Sequence, residues 1–129
     1  MVENDHNTAV TQVYDVLIAT FPSRPTDQAV DDLQRALLQR IDEEQPRGVI
    51  LDISAVSTLD SFFARVIAET ADMVSLMGGT TIVTGMQPTV AITAAELGFG
   101  LGDIETAQNT DQALEKLGVR VVDQEDGDE

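Results

Sequence analysis

The chain has 129 residues, no cysteine, and 23 acidic against 7 basic residues, for a formal net charge of −16. This length favours one domain with one core, and the missing cysteines exclude disulfides, thiolate metal sites and cysteine nucleophiles. The charge speaks against nucleic acid or an anionic membrane as partner, and no apolar run approaches the ~20 residues of a spanning helix.

The polar, acidic start, MVENDHNTAV, is not a secretory signal. Together with the lack of cysteine, it fits a cytoplasmic protein. Residues 1–8 and 121–129 read as frayed acidic tails around a domain at 9–120. The bases are six Arg and a single Lys, Lys116. Excess acid with scarce Lys suits a salt-rich cytosol, where screening relieves self-repulsion; an ordinary acidic protein is the alternative. If the acidity is a salt adaptation, the melting temperature rises with added KCl, and a flat response contradicts that origin.

From the N-terminus, AVTQVYDVLIATF (Ala9–Phe21) reads as two strands or one bent strand. PSRPTD follows as a turn and helix start, with Thr26 or Asp27 as cap. Val30, Leu33, Leu37 and Ile41 then recur at helical spacing, opposite Asp31, Gln34 and Arg35. Pro46 ends that helix at or before its own position. GVILDIS is short and apolar, as expected of a strand buried on both faces. A helix from about Ser61 to Met77 follows and stops at Gly78-Gly79. TTIVTG is a second buried strand. The next helix carries Pro88 in its first turn and Gly98 after its end. DIETA reads as a short last strand, and NTDQALEKLG as a final helix capped by Asn109 or Thr110 and stopped by Gly118. Strands alternating with helices indicate an α/β sheet with helices packed against it.

Little in the chain can carry catalysis. The one histidine, His6, lies in a tail, which argues against a Ser–His–Asp site at Ser61. GFGLGD (Gly98–Asp103) has phosphate-loop composition but follows a helix rather than a buried strand, so it reads as a loop exit. Asp52 and Asp60 flank the loop after the GVILD strand; in an open α/β sheet the C-terminal ends of strands are where ligands commonly sit. They could form a magnesium-binding pair, or simply end the strand and cap the helix. An enzyme using Ser61 as nucleophile, or these acids as a metal site, is one functional class.

Ser61 falls in the first helical turn. A plain capping role there contributes about 1 kcal/mol. A phosphate there would be tolerated by the free amides and the helix dipole, while Asp60 and any docked partner would feel about −1.5 to −2 units of new charge. In the helix that follows, Phe62, Val66, Met73 and Met77 form an apolar stripe, widened by Phe63, Ile67 and Val74. Ala64, Ala68, Ala71 and Ser75 form a small-residue stripe that suits either a partner's backbone or the chain's own sheet. Arg65 and Glu69 are spaced as an i,i+4 pair on a solvated face.

The run from Leu51 to Gly98 resembles the STAS domain family, and within it the RsbS-like proteins of bacterial stressosomes. The resemblance is carried by Asp-Ser-Phe at 60–62, Leu-Met-Gly at 76–78, Thr-Gly-Met-Gln-Pro at 84–88 and Glu-Leu-Gly at 96–98. It extends more loosely over about Val10 to Leu117. It implies an α/β STAS fold, a mixed β-sheet with helices packed against it. It further implies a non-enzymatic, cytoplasmic phosphoprotein that needs no cofactor or metal. Ser61 is then the acceptor for an RsbT-like serine/threonine kinase, which the protein sequesters and releases on phosphorylation. Asp60 and Phe62 would shape the site or dock the partner, and Thr84 is a second acceptor position used in RsbR relatives. The implied partners are RsbR-like STAS proteins in a large assembly and an RsbX-like phosphatase; self-association is a further possibility. RsbR relatives carry an extra N-terminal sensor domain, which is absent from this sequence. Stand-alone anti-anti-sigma factors, which bind an anti-sigma kinase, are the alternative. In those, a small residue follows soon after the serine, whereas Phe62 and Phe63 follow here.

Overall fold

The computed structural model describes residues 10–98 and 104–120. The tails at 1–8 and 121–129, His6 and most of GFGLGD lie outside them. The first apolar run forms two strands, β1 (Val10–Val13) and β2 (Val16–Thr20), paired antiparallel with Val13 opposite Val16. The two-residue turn between them puts Tyr14 at φ 56°, a conformation that glycine adopts more readily.

Helix α1 (Asp27–Glu44) begins where Thr26 Oγ1 accepts a hydrogen bond from the Ala29 amide at 3.1 Å, so Thr26 is the cap. Val30, Leu33, Leu37 and Ile41 are buried as their spacing requires. The helix stops at Gln45, φ 50°, whose amide bonds Ile41 O. Pro46 excludes its predecessor from right-handed helix, which fixes the stop one residue ahead of the proline.

Three α/β units follow: β3 (Gly48–Asp52) and α2 (Ser61–Leu76), β4 (Thr80–Thr84) and α3 (Pro88–Leu97), β5 (Glu105–Ala107) and α4 (Thr110–Lys116). The sheet order is β1-β2-β3-β4-β5, with β2 to β5 parallel and β1 antiparallel. The mixed sheet with packed helices is thus the fold expected from the sequence. Ile50, Leu51 and Ile82 are fully buried, which explains why their strands read as unbroken apolar runs.

Because the parallel strands follow one another in order, right-handed crossovers place every connecting helix on the same face. The core accords with that. Leu17, Ala19, Val49, Leu51 and Val83 pack with apolar residues of α1, α2 and α3. Val16, Ile18, Ile50 and Ile82 form the opposite face, covered by Ala113 and Leu114 of α4 and by Val119. At the edge strand, Arg40 donates to the Val10 carbonyl at 3.4 Å, which blunts an otherwise open edge. At the N-terminal end of the parallel strands, Arg47 pairs with Asp15 at 2.7 Å and donates to Leu117 O at 3.2 Å. It thereby ties the β2, β3 and α4 ends together.

The buried face of α2 differs from the stripe expected first. Phe63, Ile67, Thr70 and Val74 form the spine, flanked by Ala64 and Val66. Of Phe62, Val66, Met73 and Met77, only Val66 is buried; Met77 is exposed, and Phe62 packs at the rim. Of the small residues, Ala64 is buried, Ala68 and Ala71 are half-buried and Ser75 is exposed. Gln34, expected on the solvent face of α1, turns toward α2. Its Nε2 donates to Thr70 Oγ1 at 2.9 Å, and Thr70 in turn donates to Val66 O at 2.7 Å.

Candidate functional site

The segment from β3 to α2 is short on polar anchors but rich in apolar ones. Ile53, Val56 and Leu59 are all buried, so every third residue pegs the loop to the core. Local hydrogen bonds finish it. The Ser54 amide donates to Asp52 Oδ1 at 2.9 Å, Val56 N to Ile53 O at 3.0 Å, and Ile53 N to Thr84 O at 3.0 Å. Gln87 Nε2, from the β4–α3 turn, donates to Ser54 O at 2.9 Å.

Gly85 completes this junction. It sits at φ 76°, and a Cβ built on it would stand 2.5 Å from Ser54 Cβ and 2.8 Å from Ser54 Cα. Contact with backbone cannot be relieved by a rotamer change. Gly85→Ala is therefore expected to destabilise the fold by about 2 kcal/mol or more, measured by urea unfolding. A change under about 0.5 kcal/mol, the range of neutral surface substitutions, would contradict this close packing.

Asp60 closes the loop and caps α2: its Oδ1 accepts from the Phe63 amide at 2.8 Å. That bond serves the third helical residue and leaves the Ser61 and Phe62 amides as the orphan donors of the first turn. Ser61 is the first helical residue and exposed, and its hydroxyl has no hydrogen-bond partner among the described residues. Ser61 is thus not the cap. Phe63, rather than Phe62, anchors the helix start: it is 2% exposed, with its ring 5.1 Å from that of Phe21. Beside the cap lies an open hollow of about 280 Å³ lined by Arg24, Pro25, Thr26, Thr58, Asp60 and Phe63. It joins the start of α1 to the start of α2.

The remaining candidates separate clearly. Asp52 and Asp60 each spend a carboxylate oxygen on a backbone amide, as strand-end and cap residues do. No cluster of three or more His, Cys, Asp or Glu able to hold a metal occurs among the described residues. Thr84, opposite Asp52 in the β3–β4 register, is 1% exposed and its Oγ1 has no partner. Its hydroxyl is therefore shut off from solvent in this fold. The described strand order never reverses, so the crevice that a switch point creates in doubly wound sheets does not form here. What the strand ends offer instead is a shelf pegged to the core, with exposed hydroxyls at Ser54, Ser57 and Thr58 and, at the helix start, that of Ser61. Sequence reasoning located the Ser61 hydroxyl but missed the pegs of the loop before it. The signal was the three-residue spacing of Ile53, Val56 and Leu59.

A family model of the STAS domain matches residues 7–113. Among solved structures, the chain is similar to an RsbS of Moorella thermoacetica carrying a serine-to-glutamate substitution, with 33% identity and a TM-score of 0.78, covering 84% of this chain and 92% of that one. It is also similar to a chain from the molecular architecture of the stressosome, a signal integration and transduction hub, with 34% identity and a TM-score of 0.76, covering 84% and 95%. Among curated relatives, the RsbT co-antagonist protein RsbRD of Bacillus subtilis is 33% identical over 73 residues. That match takes in 57% of this chain and 26% of RsbRD, so the chain spans about a quarter of that protein. No helix among the described residues is long and apolar enough to cross a membrane.

Proposed function

The chain belongs to the STAS domain family, and from that premise we propose that it is an RsbS-like stressosome core component that holds a switch kinase. In this role it catalyses nothing itself. It sits in the cytoplasm among RsbR-like STAS proteins, binds an RsbT-like serine/threonine kinase, and releases it when Ser61 is phosphorylated. An RsbX-like phosphatase resets it. The observation that carries the proposal is the exposed, unpartnered hydroxyl of Ser61 at the helix start that follows a loop pegged from below, in a chain similar over most of its length to RsbS.

The physics favours a surface switch over an unfolding switch. A phosphate on the first helical residue gains from the orphan amides and the helix dipole, so the domain tolerates it. A partner docked over the shelf meets about −1.5 to −2 units of charge beside Asp60 and bears the repulsion and desolvation. Asp60 contributes by capping the helix that presents Ser61, and Phe62 by filling the rim next to it.

Intact-mass analysis after incubation with the cognate kinase and ATP tests the proposal. One phosphate is expected, mapped to Ser61, with none on Thr84 while the chain is native. A chain that gains no phosphate, or gains it elsewhere with Ser61 unmodified, would overturn the assignment.

A further inference from the structure

We infer that Arg65 holds the phosphate once it is on Ser61, as an i,i+4 pair along the outward face of α2. The inference rests on Ser61 being the modified residue. Ser61, Arg65, Glu69, Asp72 and Leu76 run along the exposed face of α2, beside Ser75. One turn of helix brings side chains at positions 61 and 65 within reach of each other. An anion four residues ahead of a cation is also the favourable order relative to the dipole.

Arg65 is the one base on this helix, in a chain of 7 bases and 23 acids. The first turn of α2 carries no acid, whereas α1 and α4 each carry one there. A guanidinium also matches phosphate geometry with two parallel N–H donors. Arg65 already has an interaction in the unmodified chain, so the phosphate competes for it. Phosphorylation then does two things at the shelf. It adds an anion, and it draws the Arg65 guanidinium from its existing interaction toward that anion.

The test uses the full chain with phosphoserine installed at position 61 during translation, so it does not depend on any kinase. Phosphorus NMR follows the second ionisation of the phosphate in the Arg65 chain, in Arg65→Gln and in Arg65→Lys. Asp60 at the cap, Arg24 across the hollow beside that cap, and Glu69 one turn beyond Arg65 are unchanged in all three. The midpoint is expected to rise by roughly 0.3 pH unit in Arg65→Gln, to return most of the way in Arg65→Lys, and to lose this difference at high salt. Equal midpoints in the Arg65 and Arg65→Gln chains would overturn the inference. Failure of a kinase to modify Ser61 would instead count against the proposed function and leave this titration standing.

Discussion

Phe63→Ala is expected to lower the unfolding free energy by about 3–5 kcal/mol, a large part of the roughly 5–15 kcal/mol that holds a domain together. The ring is nearly fully buried, tilted 57° against Phe21, and lies in the core formed by the sheet with α1, α2 and α3. Its removal opens a cavity beneath the helix start and takes away the Phe21 contact. Phe62→Ala, at the rim of the same core, is expected to cost about 1 kcal/mol, the centre of the range for single substitutions. Urea unfolding followed by circular dichroism separates the two. Similar losses for both would contradict the assignment of Phe63 as the anchor.

Ser61 substitutions are expected to act on binding and leave stability nearly unchanged. Ser61→Ala removes a hydroxyl that makes no hydrogen bond to any described residue, so it should keep the kinase bound and block release. Ser61→Asp adds one charge beside Asp60 and should weaken kinase binding about tenfold, equivalent to about 1.4 kcal/mol. It should fall short of the phosphate, which carries up to twice that charge and a larger hydration shell. Isothermal titration with the purified kinase gives both affinities, and equal values for the two variants would count against an electrostatic switch.

Much of this fold could be read directly from local pattern. The parallel strands stand out because burial on both faces leaves GVILD and TTIVT without alternation. The caps at Thr26, Asp60 and Asn109 stand out because each is a polar side chain just ahead of a helical period, and all three accept a bond from the third helical amide. What escaped was decided by distant contacts. Phe62 and Phe63 are adjacent and equally apolar, so the choice of buried stripe on α2 depends on how the helix lies on its sheet. Gln34 looked solvated because its partner, Thr70, is 36 residues away. The burial of Thr84, the second acceptor position that the resemblance implies, depends on how its strand sits within the sheet. The place of Ser61 was legible from spacing alone. Its use was not, because a first-turn serine is common and modification leaves no mark on local pattern; only the resemblance supplied that role.

The central claim is that phosphate on Ser61 releases a bound kinase without unfolding the domain. The most direct measurement is the affinity of an RsbT-like kinase for the full chain with and without phosphoserine at position 61, alongside the melting temperature of each. The predicted result is a loss of roughly a hundredfold in affinity, about 2.7 kcal/mol, with melting temperatures within a few degrees. Equal affinities, or a loss of affinity accompanied by a collapse in melting temperature, would contradict it.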